Sequence, residues 1–412
     1  MILDQRYFEK YKTLIEDDFY PYWSAKTDSS FGGISNCINN YGDIKISDDK
    51  FTWSQGRWLW ILGKLYSLIE KGVIKNISKE QVKNEMIGTY DFIVNNCIGK
   101  DYICTYLLDK VGNKQVDLKT NRYDASIFAD CFALIGLAQY HKSLHDPRKL
   151  DIPISLYKSI LKRIKNNDFL TEPYPIPKGY RVHSIPMILV NTIYETIKMK
   201  EAFGMDTCSE IADGLRMVNT ILDEFTHNGY IREHISIDQN YQDLLLDRHV
   251  NPGHTLEDTW FISEFLESYG SLEVRLEQLS SLVLNAVEIG WDKEFGGLFR
   301  FVDRDGGKPK GKSGASDFEL LINNTWDMKL WWPHSEALYT LLYFYKKTGN
   351  SEFLKQYELI EEYVFKTFPN KEIGEWIQIR RRDGFPQETL VALPVKDPFH
   401  ILRNFIKIVE LY

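Results

Sequence analysis

The chain has 412 residues, 43% hydrophobic and 26% charged, so it can bury enough apolar surface to offset chain entropy and is not disordered. Its length suggests two or three domains at roughly 150 residues each, or one large barrel. Lys and Arg number 50 against 58 Asp and Glu, a formal charge of −8 with no basic block, which argues against nucleic acid or an anionic membrane as partner.

Apolar residues recur at spacings of three and four from end to end, the helical period, and predict twelve helices. In chain order they span about 3–17, 52–72, 79–97, 124–144, 148–165, 183–201, 205–225, 254–270, 271–289, 332–348, 351–366 and 398–411. Ser78 and Gln81 have capping-box spacing, Asp146 before Pro147 reads as an N-cap, and Gly349 after two lysines reads as a C-terminal stop. Strand signal is confined to 297–302 and 375–380, each soon followed by an Arg-Asp-Gly turn. The five cysteines, an odd count with no C-x-x-C, indicate neither a disulfide framework nor a zinc knuckle. Charges near the start occupy the place of a signal peptide's apolar run, and no stretch approaches the ~18 apolar residues of a membrane span. A cytoplasmic location is expected.

No Pro- or Ser-rich linker divides the chain, so residues 1–412 are expected to form a single domain. Its repeat is faint: Phe31-Gly32-Gly33 recurs as Phe295-Gly296-Gly297, each in a long loop before a Trp-rich helix start. Arg57, Ser126, His183, His254, Glu336 and His400 mark the beginning of every second helix at intervals of 57 to 82 residues, about one helical hairpin each. Six hairpins predict an all-α, (α/α)6 barrel with short β-hairpins in its loops. The even-numbered helices line its inside, and their N-termini open at one end. An irregular helical domain is the competing reading.

Several patterns are set aside. Residues 306–313 fit G-x-x-x-x-G-K-S, but the preceding strand carries Arg300 and Asp303 and no αβ alternation exists to build a nucleotide-binding sheet. His249 and His254 are five apart, not the four that puts two imidazoles on one helix face, so no metal is expected. A Ser-His-Asp hydrolase lacks its G-x-S-x-G elbow, whereas Glu257 and Glu336 keep a glycosidase pair open. More informative is Asn251-Pro-Gly-His254, which forces a turn into a helix whose next turn carries Glu257. A helix N-terminus favours neutral, proton-accepting imidazole, and a neighbouring carboxylate orients the ring while opposing that shift. His400 stands similarly at the start of the last helix, with Arg403 three residues on. Two histidines entering one cavity from different inner helices suit proton removal and return at a carbon beside a carbonyl. The 14% aromatic content fills a core or walls a sugar groove; Trp331, Trp332, Trp53, Trp58, Trp60 and Trp376 are the candidates, though consecutive tryptophans cannot share a helix face.

The sequence resembles the N-acylglucosamine 2-epimerase family, which also includes cellobiose 2-epimerases and aldose–ketose isomerases. The resemblance rests on Gln55-Gly-Arg57, Ser126-Ile-Phe-Ala-Asp-Cys-Phe132, residues 186–191, Asn251 through Glu257, Met328 through Ala337, Gly374-Glu-Trp376 and Phe399 through Arg403, in that order. It implies an (α/α)6 barrel and a metal-free, two-histidine epimerisation or isomerisation of a small-molecule sugar, with a homodimer as candidate assembly. By motif, His254 and His400 are the acid/base pair and Arg57 holds substrate oxygen. Glu257, Lys329, Trp332, Glu336, Trp376 and Arg403 match positions near the pocket. No cofactor is required, with ATP as a non-consumed activator. The expected substrate pair is N-acyl-D-glucosamine and N-acyl-D-mannosamine. Mannose, a cellobiose-like disaccharide and a non-catalytic binding toroid are the alternatives. Asp397-Pro398 departs from the acylglucosamine pattern beside His400, and His183 lies about a turn before the cellobiose branch's sixth-helix histidine.

Overall fold

The computed structural model describes residues 2–238, 243–314, 316–388 and 394–412. Among these described residues twelve long helices follow one another: α1 (Ile2–Thr13), α2 (Thr52–Glu70), α3 (Lys79–Phe92), α4 (Ile127–Leu144), α5 (Asp151–Lys165), α6 (Ser184–Ala202), α7 (Cys208–Asn219), α8 (Pro252–Tyr269), α9 (Leu272–Gly290), α10 (Trp331–Thr348), α11 (Ser351–Thr367) and α12 (Phe399–Leu411). The even-numbered helices form a closed ring: α2 packs on α4, α4 on α6, α6 on α8, α8 on α10, α10 on α12, and α12 back on α2. Each odd-numbered helix lies outside, against an inner neighbour, with α1 on α12. This is the (α/α)6 barrel expected from the hairpin spacing.

The two rings differ as their sequences require. Helix α4 is buried on nearly all sides, its polar Asp130, Gln139 and His141 included, because it faces the barrel axis inside and outer helices outside. Outer α5 buries one stripe, Leu156, Tyr157 and Ile160, and leaves basic residues on the other side. Helices α2 and α4 cross at glycines: a Cβ on Gly56 would lie 2.1 Å from the Phe132 carbonyl oxygen, and one on Gly136 2.4 Å from that of Gly56. At the C-terminal end of the inner ring, side chains from all six helices tie it shut. Lys407 pairs with Glu264 at 2.6 Å, Tyr339 donates to Glu264 at 2.6 Å, Lys64 pairs with Glu410, and Lys142 lies 3.6 Å from Glu195.

The expected repeat is a repeated structure. In the first copy, Asp28 Oδ1 accepts from the N–H groups of Ser30 and Phe31, and the buried Lys50 ammonium binds Asp28 Oδ2 at 2.9 Å and the Gly32 carbonyl at 2.8 Å. In the second, Asp292 Oδ1 accepts from Glu294 and Phe295, and Lys329 binds Asp292 Oδ2 at 3.0 Å and the Gly297 carbonyl at 3.3 Å. Both glycine pairs have positive φ, between 75° and 79°, which glycine reaches without a Cβ clash. Each lysine sits on a short strand two residues before an inner helix, so the turn clamps that helix's entry.

Several boundaries differ from expectation. Helices α1, α3 and α7 run on into π-helical turns at Leu14–Phe19, Ile93–Cys97 and Thr220–Phe225, which a 3.6-residue pattern does not encode. Ser78 caps α3, but the Gln81 side chain turns to Ser24 and Glu85 rather than completing a box. Helix α5 begins at Asp151, after a turn in which Asp146 accepts from Arg148. Gly349 ends α10 with φ 69° as expected. A short helix, Asp317–Thr325, follows the 306–313 segment behind a Ser316–Glu319 capping box. The expected strand at 297–302 reduces to Val302–Asp303, paired with His249–Val250, so no nucleotide-binding sheet precedes that segment. Strand pairs also occur where none was expected, among them Lys50–Phe51 with Leu107–Leu108 and Tyr180–Val182 with His234–Ser236.

Candidate active site

A cavity of 340 Å³ opens at the N-terminal end of the inner ring, and every inner helix contributes to its wall. Arg57 comes from α2, Phe128 and Phe132 from α4, Met187 from α6, His254 and Glu257 from α8, Trp331 and Trp332 from α10, and His400 and Arg403 from α12. Six helix N-termini directed at one space favour negative charge there.

Helix α8 starts as its motif requires. Pro252 is the first helical residue, and the Asn251 side chain accepts from the His254 N–H at 3.3 Å. Gly253 lets Trp332 approach, since a Cβ there would lie 2.5 Å from the indole. That indole flanks both imidazoles, with ring centroids 5.1 Å from His254 and 5.7 Å from His400.

Each imidazole is held through Nδ1 by a buried carboxylate. His254 Nδ1 donates to Glu233 at 2.9 Å, and His400 Nδ1 donates to Glu336 at 2.7 Å. This fixes the tautomer that leaves Nε2 for the cavity. Glu336 is fully buried on α10 and also accepts from Trp260 Nε1 at 2.9 Å and from Arg403. Burial pushes the Glu336 carboxyl up, but the Arg403 charge and the bonds from His400 and Trp260 outweigh it and hold it below its ordinary range. Arg403 also binds Glu257, and its guanidinium lies over Phe399 at 4.6 Å.

Arg57 reaches the cavity with its guanidinium 4.0 Å from the Phe132 ring centroid and paired with Asp397 at 3.1 Å. The departure at Asp397-Pro398 thus has a structural function: Asp397 anchors Arg57 and accepts from the His400 N–H at 3.1 Å, capping α12. Burial raises the Asp397 carboxyl, and the charges of Arg57 and His400 overcome this and lower it.

The structure brings His254, His400, Arg57, Glu257, Trp332 and Arg403 to the cavity wall, with Glu336 directly behind His400. It does not bring Lys329 or Trp376 there. Lys329 is fully buried in the Asp292 turn, its pKa lowered by burial to about 8 against the pull of Asp292. Trp376 is 1% exposed and packs against Phe19, Phe365, Phe368 and Phe405. Trp58 and Trp60 are core as well, whereas Trp53 lines the cavity. Trp331 and Trp332 both line it, although adjacent on α10, because at a helix entrance the first residue is not yet hidden by a preceding turn. Glu257 and Glu336 cannot flank a glycosidic bond, since their oxygens converge on one Arg403 nitrogen.

Sequence reasoning missed Glu233, which reaches the site only because Tyr180–Val182 pairs with the strand that follows it. Among the described residues, two sets have metal-ligand proximity, His183–Glu233–His254 and Glu257–Glu336–His400. In the second the guanidinium of Arg403 already supplies the cation.

Fold and site together define an (α/α)6-barrel protein with two carboxylate-held histidines in one cavity. The model for "N-acylglucosamine 2-epimerase (GlcNAc 2-epimerase)" matches residues 32–403, and the chain belongs to that family. The N-acylglucosamine 2-epimerase of Bos taurus is 28% identical over 381 residues, 91% of this chain and 84% of that one. The cellobiose 2-epimerase of Dictyoglomus turgidum is 20% identical over 413 residues, 96% of each. In structure, the cellobiose 2-epimerase of Bacillus thermoamylovorans B4167 superposes with a TM-score of 0.77 at 16% identity, covering 99% of this chain and all of that one. The protein is a carbohydrate epimerase, an isomerase by reaction class, which sets aside the non-catalytic toroid. Among the described residues no helix is long and apolar enough to cross a membrane.

Proposed function

We propose that the chain interconverts N-acyl-D-glucosamine and N-acyl-D-mannosamine at C2 of the ring-opened sugar, with His254 and His400 as the acid/base pair. One observation carries the reading: two imidazoles, each tethered through Nδ1 to a buried carboxylate, flank one indole in one cavity. The C2–H bond lies next to the C1 carbonyl, so its proton can leave to the Nε2 of one histidine. The electron pair then spreads onto O1, where Arg57 and the helix N-termini stabilise the enediolate. The other histidine delivers its Nε2 proton to the opposite face of C2, inverting that carbon and leaving the rest of the sugar unchanged.

Proton removed and proton returned balance, so the step calls for no redox group. We assign ATP, by family resemblance, the role of an activator that is not consumed; a non-hydrolysable analogue should then activate equally. The cavity volume of 340 Å³ is at the small end of the roughly 300–1,000 Å³ of ligand sites, which favours a single sugar ring over a disaccharide. Phe128 and Phe132 give it an apolar side suited to an acyl methyl. The homodimer remains part of the proposal and is checked by light scattering. So does the single domain over residues 1–412, supported by the last inner helix closing on the first.

The test is deuterium incorporation at C2, followed by NMR in heavy water, with N-acetylglucosamine, mannose and cellobiose in parallel. His254→Ala and His400→Ala should each abolish exchange while keeping the helical circular dichroism. Exchange at wild-type rate in both variants would overturn the mechanism. Preference for mannose or cellobiose would move the substrate to the non-acylated branch.

A further inference from the structure

Behind His254 lies another histidine, fully buried, that the reaction as described does not use. His183 stands just before α6 and has no exposed surface. Its Nε2 binds Asp258 at 2.9 Å, and its Nδ1 lies 3.7 Å from Glu233 Oε1. The other oxygen of Glu233 is the acceptor for His254. The backbone enforces the arrangement: the His183 N–H donates to the Glu233 carbonyl at 2.9 Å, next to the Val182–His234 strand pair. Asp258, His183, Glu233 and His254 therefore form a chain of alternating acid and imidazole from the fully buried Asp258 to the cavity.

We propose that His183 is a positioning residue for this epimerase: buried between Asp258 and Glu233, it holds Glu233 on His254 Nδ1 and tunes proton transfer there. This rests on His254 acting as acid or base. Burial alone would discharge His183, but the bond to Asp258 and the nearby Glu233 prevail and raise it to about 10, while burial pushes the Asp258 carboxyl up against the pull of His183. Glu233 is raised by burial and held far below its ordinary range by the charges and bonds of His254 and His183. The His183 ring centroid is 6.3 Å from that of His254, so its charge opposes that of Glu233 there.

The other groups facing His254 do not supply this charge. His234, on the cavity wall, and His249 beside it are neutral at neutral pH, since burial lowers His234 to about 3 and pushes His249 down. Glu257 is neutralised by Arg403, which it shares with Glu336 and His400, and Arg57 by Asp397.

The two arms of the chain predict opposite shifts in the pH profile of kcat. His183→Asn removes the cation and leaves Glu233 in place, so the acid limb moves up by about one pH unit. Glu233→Gln removes the anion, so the limb moves down, and kcat at the optimum falls by about 10²–10⁴ as the tautomer is released. KM stays within about twofold in His183→Asn, because His183 does not touch the cavity. Acid limbs that coincide with wild type in both folded variants, or that move in the same direction, overturn the relay. If His254→Ala still exchanges the C2 proton, the proposed function itself has failed, and the relay with it. If His254→Ala is inactive but His183→Asn keeps the wild-type limb, only the relay is wrong. Elemental analysis supplies a further check: a stoichiometric divalent metal lost in His183→Asn makes these residues ligands and overturns the proposal.

Discussion

Replacing Glu336 with Gln changes one atom in the barrel wall and should affect both chemistry and stability. Three donors converge on this fully buried carboxylate: His400 Nδ1 at 2.7 Å, Trp260 Nε1 at 2.9 Å, and the Arg403 guanidinium. A glutamine offers one oxygen, so at least one donor meets an NH2 group, and Arg403 keeps only Glu257 as counter-charge. An unpaired buried donor costs about 1–3 kcal/mol, and breaking a buried ion pair about 3–5 kcal/mol. The surviving Glu257 places the expected loss near 3 kcal/mol, read from urea unfolding midpoints. For catalysis, the orienting charge of His400 is gone, and kcat for C2 exchange should fall about 10²–10⁴-fold at nearly constant KM. Adding Trp260→Phe removes a competing donor and should recover part of the stability but not the rate, a coupling that a double-mutant cycle measures. A Glu336→Gln enzyme with wild-type kcat and midpoint refutes the reasoning, because it would mean that the carboxylate neither holds the imidazole nor balances the guanidinium.

Gly253→Ala places a methyl 2.5 Å from the Trp332 ring; kcat should drop with a stability loss of about 1–3 kcal/mol, and a crystal structure should show the indole displaced from both histidines. Lys50→Met and Lys329→Met should each destabilise by about 3 kcal/mol, Lys50→Met more, because Asp292 keeps Arg382 at 2.8 Å. A raised KM with unchanged stability in Lys329→Met would instead put that lysine on the substrate. Asp292, nearly inaccessible, is raised by burial but lowered overall to about 2 by Arg382 and Lys329, from 3.8. Its carboxylate therefore contributes stability that is complete above about pH 4 and is lost as pH falls toward 2, about 2 kcal/mol in all. Unfolding of Asp292→Asn should accordingly vary less with pH over that window. Trp376→Phe should leave KM unchanged, since that ring is packed among phenylalanines.

The hairpin period, the twelve helices and the closed ring were legible along the chain because helix patterning is local and each hairpin repeats it. The Asn251-Pro-Gly-His254 entrance and the lysine-closed end at Gly349 were legible for the same reason: a cap is decided by residues within a turn of each other. What a residue touches across the barrel is not local. Lys329 and Trp376 fall within motif segments, yet one clamps a loop turn and the other fills the core. Glu336 reads as a pocket residue and lies one layer behind it, holding the imidazole that faces the cavity.

Sequence by itself determined the fold class and the family and put His254 and His400 at inner-helix entrances, since these follow from periodicity and from motifs continuous in the chain. Tertiary structure alone decided the carboxylate partner of each histidine, Glu233 from the loop before α8 and Glu336 from a neighbouring helix. It also decided that Asp397 anchors Arg57 and that His183 stands buried between Asp258 and Glu233. The physical reason is burial: the protonation and the tautomer of these groups depend on lost solvent and on charges brought close by ring closure, from residues up to 340 positions apart in the chain.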